Sequence, residues 1–128
     1  MKAIFKSAWG YQGDALNLPV ANVDDARLFY EKHLGFTLES ASDSPVKSVI
    51  LNRDEIRIGL VENGGDPTQD GCAFEVENVE AAYAEFKTAG LEKELSDVKT
   101  ENNDGVEWKV YYIVAPDGLC YWVGERQN

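Results

Sequence analysis

The sequence predicts an α+β fold built from two copies of a strand–helix–strand–strand–strand unit. Runs with a period-two pattern of apolar residues alternate with runs of helical period. The second half of the chain also repeats the first at an offset of 56 residues, which places Asn22 on Asn78. The 128 residues accommodate both units in a single domain, residues 1–128, with module one at about 14–63 and module two at about 70–126.

The first module begins with a strand and a helix. Apolar side chains alternate over residues 15–20, which is typical of a half-buried strand. Residues 22–36 carry an apolar stripe of helical period that starts after Asn22, a good N-cap, and closes at Gly35. Residues 46–52 and 55–62 predict two strands around a turn. The helical residues expected in the core are Phe29, Tyr30, Leu34 and Phe36.

The second module repeats this order after a loop at residues 64–71. Residues 72–92 predict a strand followed by an amphipathic helix. The polar segment 93–105 is expected to hold a short strand and a loop. Two strands, residues 106–115 and 119–125, flank the turn "PDG".

The composition excludes several classes of function. The net charge is −11, from 23 acidic and 12 basic residues, which argues against a nucleic-acid partner because phosphate neutralisation needs Lys and Arg. No run approaches the ~20 apolar residues of a membrane span. The N-terminal residues lack the apolar stretch of a signal peptide, so we expect a cytoplasmic protein. Cys72 and Cys120 are too few for a disulfide framework and are expected to be free thiols.

Three segments resemble one protein family. The stretches "PVANVDDARLFYEKHLGF" (19–36), "FEVENVEAAYAEFKTAG" (74–90) and "APDGLCYWVGE" (115–125) are similar to segments of the vicinal oxygen chelate superfamily, the glyoxalase / bleomycin-resistance / extradiol-dioxygenase group. The resemblance covers about residues 14–126. It implies two tandem βαβββ modules that form an open eight-stranded cup with the helices outside. In enzymes of this family, the cup holds a divalent metal on His, Gln or Glu side chains.

The resemblance also implies which positions would hold that metal. They are Ala15, Gly59, Gly71 and Trp122. None of these side chains can coordinate a metal, and a catalytic site needs several N or O ligands. The sole histidine, His33, lies on the first helix, outside the expected cup. The sequence therefore favours a protein without a metal or other cofactor and without catalytic residues.

Strand alternation predicts two faces for the sheets. The helix-facing core is expected to contain Leu16, Leu18, Val20, Ile56, Ile58, Leu60, Phe74, Val76 and Val123. The opposite face combines polar and aromatic groups, as a small-molecule pocket requires. The candidate ligand-binding residues are Asn17, Arg57, Glu75, Trp108, Tyr112, Cys120 and Trp122.

The metal-free bleomycin-resistance proteins are the most similar in character, being acidic homodimers that sequester cationic drugs. We therefore expect a metal-independent homodimer that binds a cationic or aromatic small molecule. Two alternatives stay open: a metal-dependent lyase, isomerase or dioxygenase with displaced ligands at Glu62, Glu75 or Glu125, and a structural or regulatory dimer without a ligand. Two places also stay open for Trp9 and Tyr11, either over the cup or under a partner subunit.

Overall fold

The structure is a computed structural model that describes residues 3–127. It contains nine strands, two α-helices and one short 3-10 turn within this range. The elements are β1 Phe5–Gly10, β2 Leu18–Pro19, α1 Val23–His33, β3 Thr37–Ser42, β4 Ser48–Arg53, β5 Ile56–Val61, the 3-10 turn Pro67–Gln69, β6 Gly71–Val76, α2 Val79–Thr88, β7 Lys99–Asn103, β8 Val106–Val114 and β9 Cys120–Arg126. Among the described residues, no helix is long and apolar enough to cross a membrane.

The strands form two mixed sheets of related topology. One has the order β2-β5-β4-β3, and the other has the order β1-β6-β9-β8-β7. Leaving β1 aside, each sheet starts with a parallel pair and continues with two antiparallel pairs. The α+β fold class predicted from the sequence is confirmed. In the two parallel pairs, Leu18 lies opposite Leu60 and Phe74 lies opposite Val123. The residue before Leu60 is Gly59 and the residue before Val123 is Trp122, so these two residues occupy equivalent positions in the two sheets.

The first strand of the sheet that carries β6 was not predicted. Residues 5–10 form β1, which pairs antiparallel with β6 and sets Trp9 opposite Ala73. The predicted strand over residues 15–20 is wrong in its first half, where the chain turns. The Asp14 carboxylate accepts a hydrogen bond from the Leu16 backbone N–H at 2.9 Å. Leu16 is consequently 43% exposed and not part of the core as expected.

The repeated unit predicted one more strand between the first helix and residues 46–52 but assigned no residues to it, and this strand is β3. It pairs antiparallel with β4 at the edge of its sheet, and all six of its residues are exposed. An exposed edge strand has no buried face, so it shows no alternation of apolar and polar residues. The predicted strand in the polar segment 93–105 is present as β7.

The two helices start in the same way. The Asn22 side chain accepts a hydrogen bond from the Asp25 backbone N–H, and the Asn78 side chain accepts one from the Ala81 N–H, both at 3.0 Å. Both caps have extended backbone with φ of −144°. An N-cap of this kind contributes ~1 kcal/mol to helix stability. The predicted N-cap at Asn22 is therefore confirmed.

The core lies between the helices and the sheets and is rich in aromatic rings. Of the helical residues predicted to be buried, Tyr30, Leu34 and Phe36 are at most 2% exposed, whereas Phe29 is only half-buried at the edge of the core. The predicted sheet residues are all buried except Leu16. Phe74 stacks on Tyr121 with ring centroids 5.1 Å apart. This packing fixes which face of β9 points toward the helices. The opposite face of β9 therefore has a fixed orientation as well.

A buried ion pair joins the two halves of the chain. Both guanidinium NH2 groups of Arg53, on β4, donate to the carboxylate of Glu85 on α2, each at 2.7 Å. The guanidinium also lies 4.4 Å from the centre of the Phe5 ring. Arg53 is 5% exposed, so its charge needs these partners to offset the loss of water.

Candidate functional site

Three tryptophans meet on one face of the five-stranded sheet. Trp9 on β1 and Trp122 on β9 flank Ala73 on the strand between them. The Trp122 ring centroid lies 5.9 Å from that of Trp9 and 5.1 Å from that of Trp108 on β8. Trp9, Trp108 and Trp122 are called the tryptophan cluster below. Trp122 is 9% exposed and forms its floor, whereas Trp9 is 45% exposed and forms a wall.

Small residues on neighbouring positions make room for the indole of Trp122. Ala73 lies directly beside it on β6. Gly124 lies under the ring, and a Cβ atom at this position would come within 2.6 Å of the Cζ3 atom of Trp122. The ring therefore lies flat along its own strand, with one side against the sheet.

A single carboxylate holds two of the rings from the neighbouring edge strand. Glu101 on β7 accepts hydrogen bonds from the indole N–H of Trp122, at 3.2 Å, and from the hydroxyl of Tyr112, at 2.6 Å. Burial alone would raise the pKa of Glu101. The hydrogen bonds from Tyr112, Trp122 and Asn103, with the charge of Lys99, outweigh it and hold this pKa below its ordinary value. Glu101 is therefore ionised at neutral pH.

The tryptophan cluster borders a cavity of about 470 Å³. This volume lies within the range of ~300–1,000 Å³ common for small-molecule sites. Besides the cluster, the lining residues are Tyr11, Ala73, Asn103, Asp104 and Val106. A smaller cavity of about 290 Å³ lies beside the start of α1, where Phe29 is the one aromatic ring among the described lining residues. Of these two cavities, the one at the tryptophan cluster combines several aromatic rings with polar groups among its described lining residues.

The predicted site residues on the five-stranded sheet fall into two groups. Trp108, Tyr112 and Trp122 lie together around Glu101 and the cavity. Cys120 lies beside them, with its Sγ atom 3.9 Å from the Tyr11 hydroxyl. Glu75 is further along β6, where its carboxylate pairs with Lys6 at 3.4 Å and accepts from the Ser7 hydroxyl at 3.3 Å.

The other two predicted site residues lie apart from the tryptophan cluster. Arg57 is on β5 of the four-stranded sheet, where it forms an exposed ion pair with Glu39 at 2.6 Å. The Asn17 side chain is in the turn before β2 and accepts a hydrogen bond from Asn63 at 3.2 Å. Neither residue lines the cavity.

Sequence reasoning missed Glu101 and left the place of Trp9 and Tyr11 open. Glu101 lies in a polar edge strand without apolar alternation, so no sequence signal pointed to it. Trp9 lies beside Trp122 on the face of the five-stranded sheet that carries the tryptophan cluster, and the Tyr11 ring lies over Gly71. The strand β1 has an irregular register between Phe5 and Ser7, so its residues do not alternate strictly: Phe5 is buried in the main core, whereas Trp9 contacts Trp122 on the other face.

The positions at which the resembled family holds a metal do not fit one here. Ala15 is half-buried and packs against the main core. At Gly59 a Cβ atom would lie 2.6 Å from the backbone carbonyl carbon of Leu16, and at Gly71 it would lie 2.5 Å from the Tyr11 ring. The chain itself therefore fills the space in front of both glycines, and the fourth position is the Trp122 indole.

The glutamates considered as displaced ligands have structural roles. The Glu62 carboxylate accepts a hydrogen bond from the Val23 backbone N–H, and the Glu125 carboxylate accepts one from the Val79 N–H, both at 2.9 Å. These carboxylates complement the N-termini of the two helices. Within residues 3–127, no three His, Cys, Asp or Glu side chains are grouped so as to hold a metal ion. His33 bonds through Nδ1 to the Ala89 carbonyl at 2.7 Å, beside the end of α2.

Comparison with known proteins gave one family and a set of similar folds. A family model described as the Glyoxalase/Bleomycin resistance protein/Dioxygenase superfamily matches residues 13–119. Similar structures include a bleomycin resistance determinant encoded on transposon Tn5, with 22% identity, a TM-score of 0.67, and coverage of 88% of this chain and 94% of that one. No curated protein sequence gave a significant match.

Two further similar structures are those of binding proteins. A bleomycin-binding protein complexed with bleomycin is 24% identical, with a TM-score of 0.64, over 89% of this chain and 96% of that one. TnmS3, an antibiotic binding protein from Streptomyces sp. CB03234, is 17% identical, with a TM-score of 0.65, over 89% and 95% of the two chains. At these identities the likeness is one of fold.

Proposed function

Because the chain belongs to the Glyoxalase/Bleomycin resistance protein/Dioxygenase superfamily, we propose that it is a metal-independent binding protein for a small aromatic or cationic molecule. The ligand lies in the cavity beside the tryptophan cluster and is sequestered there without chemical change. The superfamily contains both enzymes and binding proteins, so the function rests on the site and not on the fold.

The observation that carries the proposal is the convergence of three indoles on one cavity of about 470 Å³. Trp122 is fixed by its contact with Gly124 and by its hydrogen bond to Glu101. Trp9 and Trp108 stand at an angle to it, at 51° and 71° between ring planes. Rings held in this way offer a preformed surface to a flat ligand, with little loss of conformational freedom on binding.

The charge of the site supports a cationic or neutral ligand over an anionic one. Asp104 is the charged residue among those that line the cavity within the described chain. Aromatic faces attract cations, and the protein as a whole carries a net charge of −11. The antibiotic-binding proteins of the same fold make an antibiotic a reasonable class of ligand to test first.

Metal independence is supported by the chemistry of the residues present. The four family positions offer two glycines, an alanine and an indole, which are not metal ligands. Glu62 and Glu125 already bind helix N-termini, and Glu75 pairs with Lys6. A metal-dependent enzyme that used Glu62, Glu75 and Glu125 as ligands would require these three carboxylates to give up their present partners.

We also propose that the protein is a cytoplasmic homodimer. Exposed apolar groups at Trp9, Tyr11 and Leu16, each more than 40% exposed, support a covering partner. The edge strands β3 and β7 leave backbone groups for pairing. Both cysteines are free thiols, Cys72 buried and Cys120 half-buried, which suits a reducing compartment. Sedimentation at micromolar concentration should give about twice 14.2 kDa, and a mass near 14.2 kDa contradicts the dimer.

Calorimetric titration tests the proposed binding directly. Bleomycin and N-methylquinolinium serve as probes, with Trp122→Ala as the site variant and Arg57→Ala as the matched control outside the cavity. Loss of a stacking surface should weaken binding by roughly 1–3 kcal/mol in Trp122→Ala, by analogy with aromatic contacts to nucleic-acid bases. Arg57→Ala should bind as the unaltered protein does.

Three other outcomes would contradict the proposed function. If Trp122 merely fills the core, Trp122→Ala loses about 3–5 kcal/mol of stability and changes no binding. Metal analysis of the purified protein tests metal independence. A stoichiometric divalent metal that survives dialysis contradicts it. Thermal-shift screening in which no compound raises the midpoint supports the structural or regulatory dimer instead.

A further inference from the structure

We propose that Glu101 sets the class of ligand that this site accepts: through the indole N–H of Trp122 it enriches the ring in electrons, so that the tryptophan cluster selects electron-poor flat rings. This inference rests on the proposed function, since it concerns the same cavity. It assigns Glu101 a positioning and tuning role, because the carboxylate acts through a ring and is not among the residues that line the cavity.

The register of the edge strand places Glu101 where it can act on two rings at once. Glu101 lies opposite Trp108 in the β7–β8 pair, and Tyr112 lies opposite Trp122 in the β8–β9 pair. The Glu101 side chain therefore reaches along the face of β8 to β9. One oxygen accepts from the indole of Trp122 and the other from the phenol of Tyr112. Both rings are fixed by this one side chain.

The carboxylate keeps its negative charge in this place. Its side chain is 22% exposed, and Lys99 lies 3.7 Å away, with its ammonium also 5.0 Å from the centre of the Tyr112 ring. Two hydrogen-bond donors and a neighbouring cation favour the ionised form. An N–H group that donates to an ionised acceptor forms a stronger and more polarised bond than one that donates to a neutral acceptor.

Polarisation of the N–H bond changes the face that the ligand meets. The negative charge of Glu101 pushes electron density from the indole nitrogen into the ring of Trp122. The face of an aromatic ring is already its negative part, so this enrichment favours contact with rings whose faces are depleted of electrons. The cavity is lined by Trp122, whereas Glu101 contacts the N–H at the edge of this ring and is not among the lining residues, which separates this effect from a direct ion pair with the ligand.

The ligand class that follows is a flat ring system that carries electron-withdrawing groups or a ring nitrogen with a positive charge. Nitroaromatics, quinones and N-alkylated heteroaromatics belong to it. Rings of the same shape with alkyl groups should bind less tightly. Asn103 and Asp104, both exposed at the cavity, are placed to meet polar substituents at the edge of such a ring.

The test compares two neutral probes of similar shape, 1-nitronaphthalene and 1-methylnaphthalene, in the full chain by calorimetry. The unaltered protein should prefer the nitro compound by about fivefold, the scale of one favourable aromatic contact. Glu101→Gln keeps an acceptor for the rings but removes the charge, and it should reduce this preference to near unity. Glu39→Gln makes the same chemical change on the four-stranded sheet, at an exposed carboxylate that pairs with Arg57 and does not line the cavity, and it should leave the preference unchanged.

Two further measurements follow the same hydrogen bond, and the second does not rely on a variant that must fold. The indole N–H resonance of Trp122 should lie downfield of those of Trp9 and Trp108 and should move upfield in Glu101→Gln. Incorporation of 5-fluorotryptophan into the unaltered chain lowers the electron density of the rings, and it should reduce the preference for 1-nitronaphthalene. The second measurement applies even if Glu101→Gln does not fold.

The outcomes separate this inference from the proposed function. Equal affinity for both naphthalenes overturns the inference and leaves the binding function standing. A preference that persists in Glu101→Gln, or in the fluorinated protein, overturns it as well. If neither naphthalene binds and N-methylquinolinium and bleomycin also fail, the proposed function falls and the inference falls with it.

Discussion

The indole of Trp122 lies directly against Gly124, two residues further along the same strand, so that a Cβ atom at Gly124 would approach the Cζ3 atom of the ring within 2.6 Å. The flat placement of this ring forms the floor of the cavity and brings its N–H to Glu101. Gly124 lies within β9 and is not among the glycines with positive φ, so the close approach of the Trp122 ring, and not a turn, requires glycine here.

The first prediction concerns this contact. Gly124→Ala should displace the Trp122 ring, break its hydrogen bond to Glu101 and destabilise the protein by about 1–3 kcal/mol through overpacking. Urea denaturation and the tryptophan emission spectrum measure both effects. In a Trp122→Ala background the same substitution should cost much less, because the ring is gone. Equal costs in both backgrounds would show that the new methyl group meets something else.

A second prediction concerns the buried pair of Arg53 and Glu85. Arg53→Met should lower the free energy of unfolding by about 3–5 kcal/mol, since it removes the guanidinium from a buried carboxylate. The double variant Arg53→Met with Glu85→Leu should recover part of this loss. The exposed pair of Arg57 and Glu39 is the matched control, and Arg57→Met there should cost less than about 1 kcal/mol. Chemical denaturation of these three variants measures the costs, and a similar cost at both sites contradicts the buried role of Arg53.

The third prediction separates helix capping from metal binding. Glu62→Ala and Glu125→Ala should each cost about 1 kcal/mol, because each removes an acceptor from the backbone N–H at a helix N-terminus. The losses should be nearly additive, since the two helix ends are separate. Metal content, measured by elemental analysis, should be the same in all the variants. A drop in bound metal without a loss of stability would favour the displaced-ligand enzyme.

The fourth prediction is a pH dependence with opposite signs at two carboxyl groups. The pKa of Glu101 is below its ordinary value, so its contribution to stability is present above that value and is lost as the pH falls through the folded pKa. Burial raises the pKa of Asp117, which accepts hydrogen bonds from Tyr30 and the Leu119 N–H. Its contribution is therefore present at low pH and is lost as the pH rises through the folded pKa.

Melting temperatures between about pH 7 and about pH 3 test these signs, since this range spans the ordinary pKa of both groups. The stability lost in Glu101→Gln, relative to the unaltered protein, should shrink as the pH falls. The stability lost in Asp117→Asn should grow as the pH falls. Differences that stay constant over this range, or that change in the same direction, would show that the two groups do not titrate as the structure indicates.

The sequence by itself determined the repeated unit and the features that each copy carries locally. The caps at Asn22 and Asn78 are set by residues three positions apart, and the amphipathic helices and the buried strands have apolar patterns that can be read directly. The repeat also placed Trp122 at the position of Gly59, which the strand registers confirm. These features depend on short-range geometry, so the sequence was sufficient for them.

Only the tertiary structure decided which side chains share the site. Trp9 joins Trp122 because β1 pairs with β6, and Glu101 joins them because an exposed edge strand lies beside β8. The polar strands β3 and β7 bury no face, so no apolar pattern marks them. Arg57 and Asn17 have the polarity expected of a site but lie on the other sheet and in a turn. Contacts between strands distant in sequence follow from pairing and register across the whole sheet, and local alternation does not contain that information.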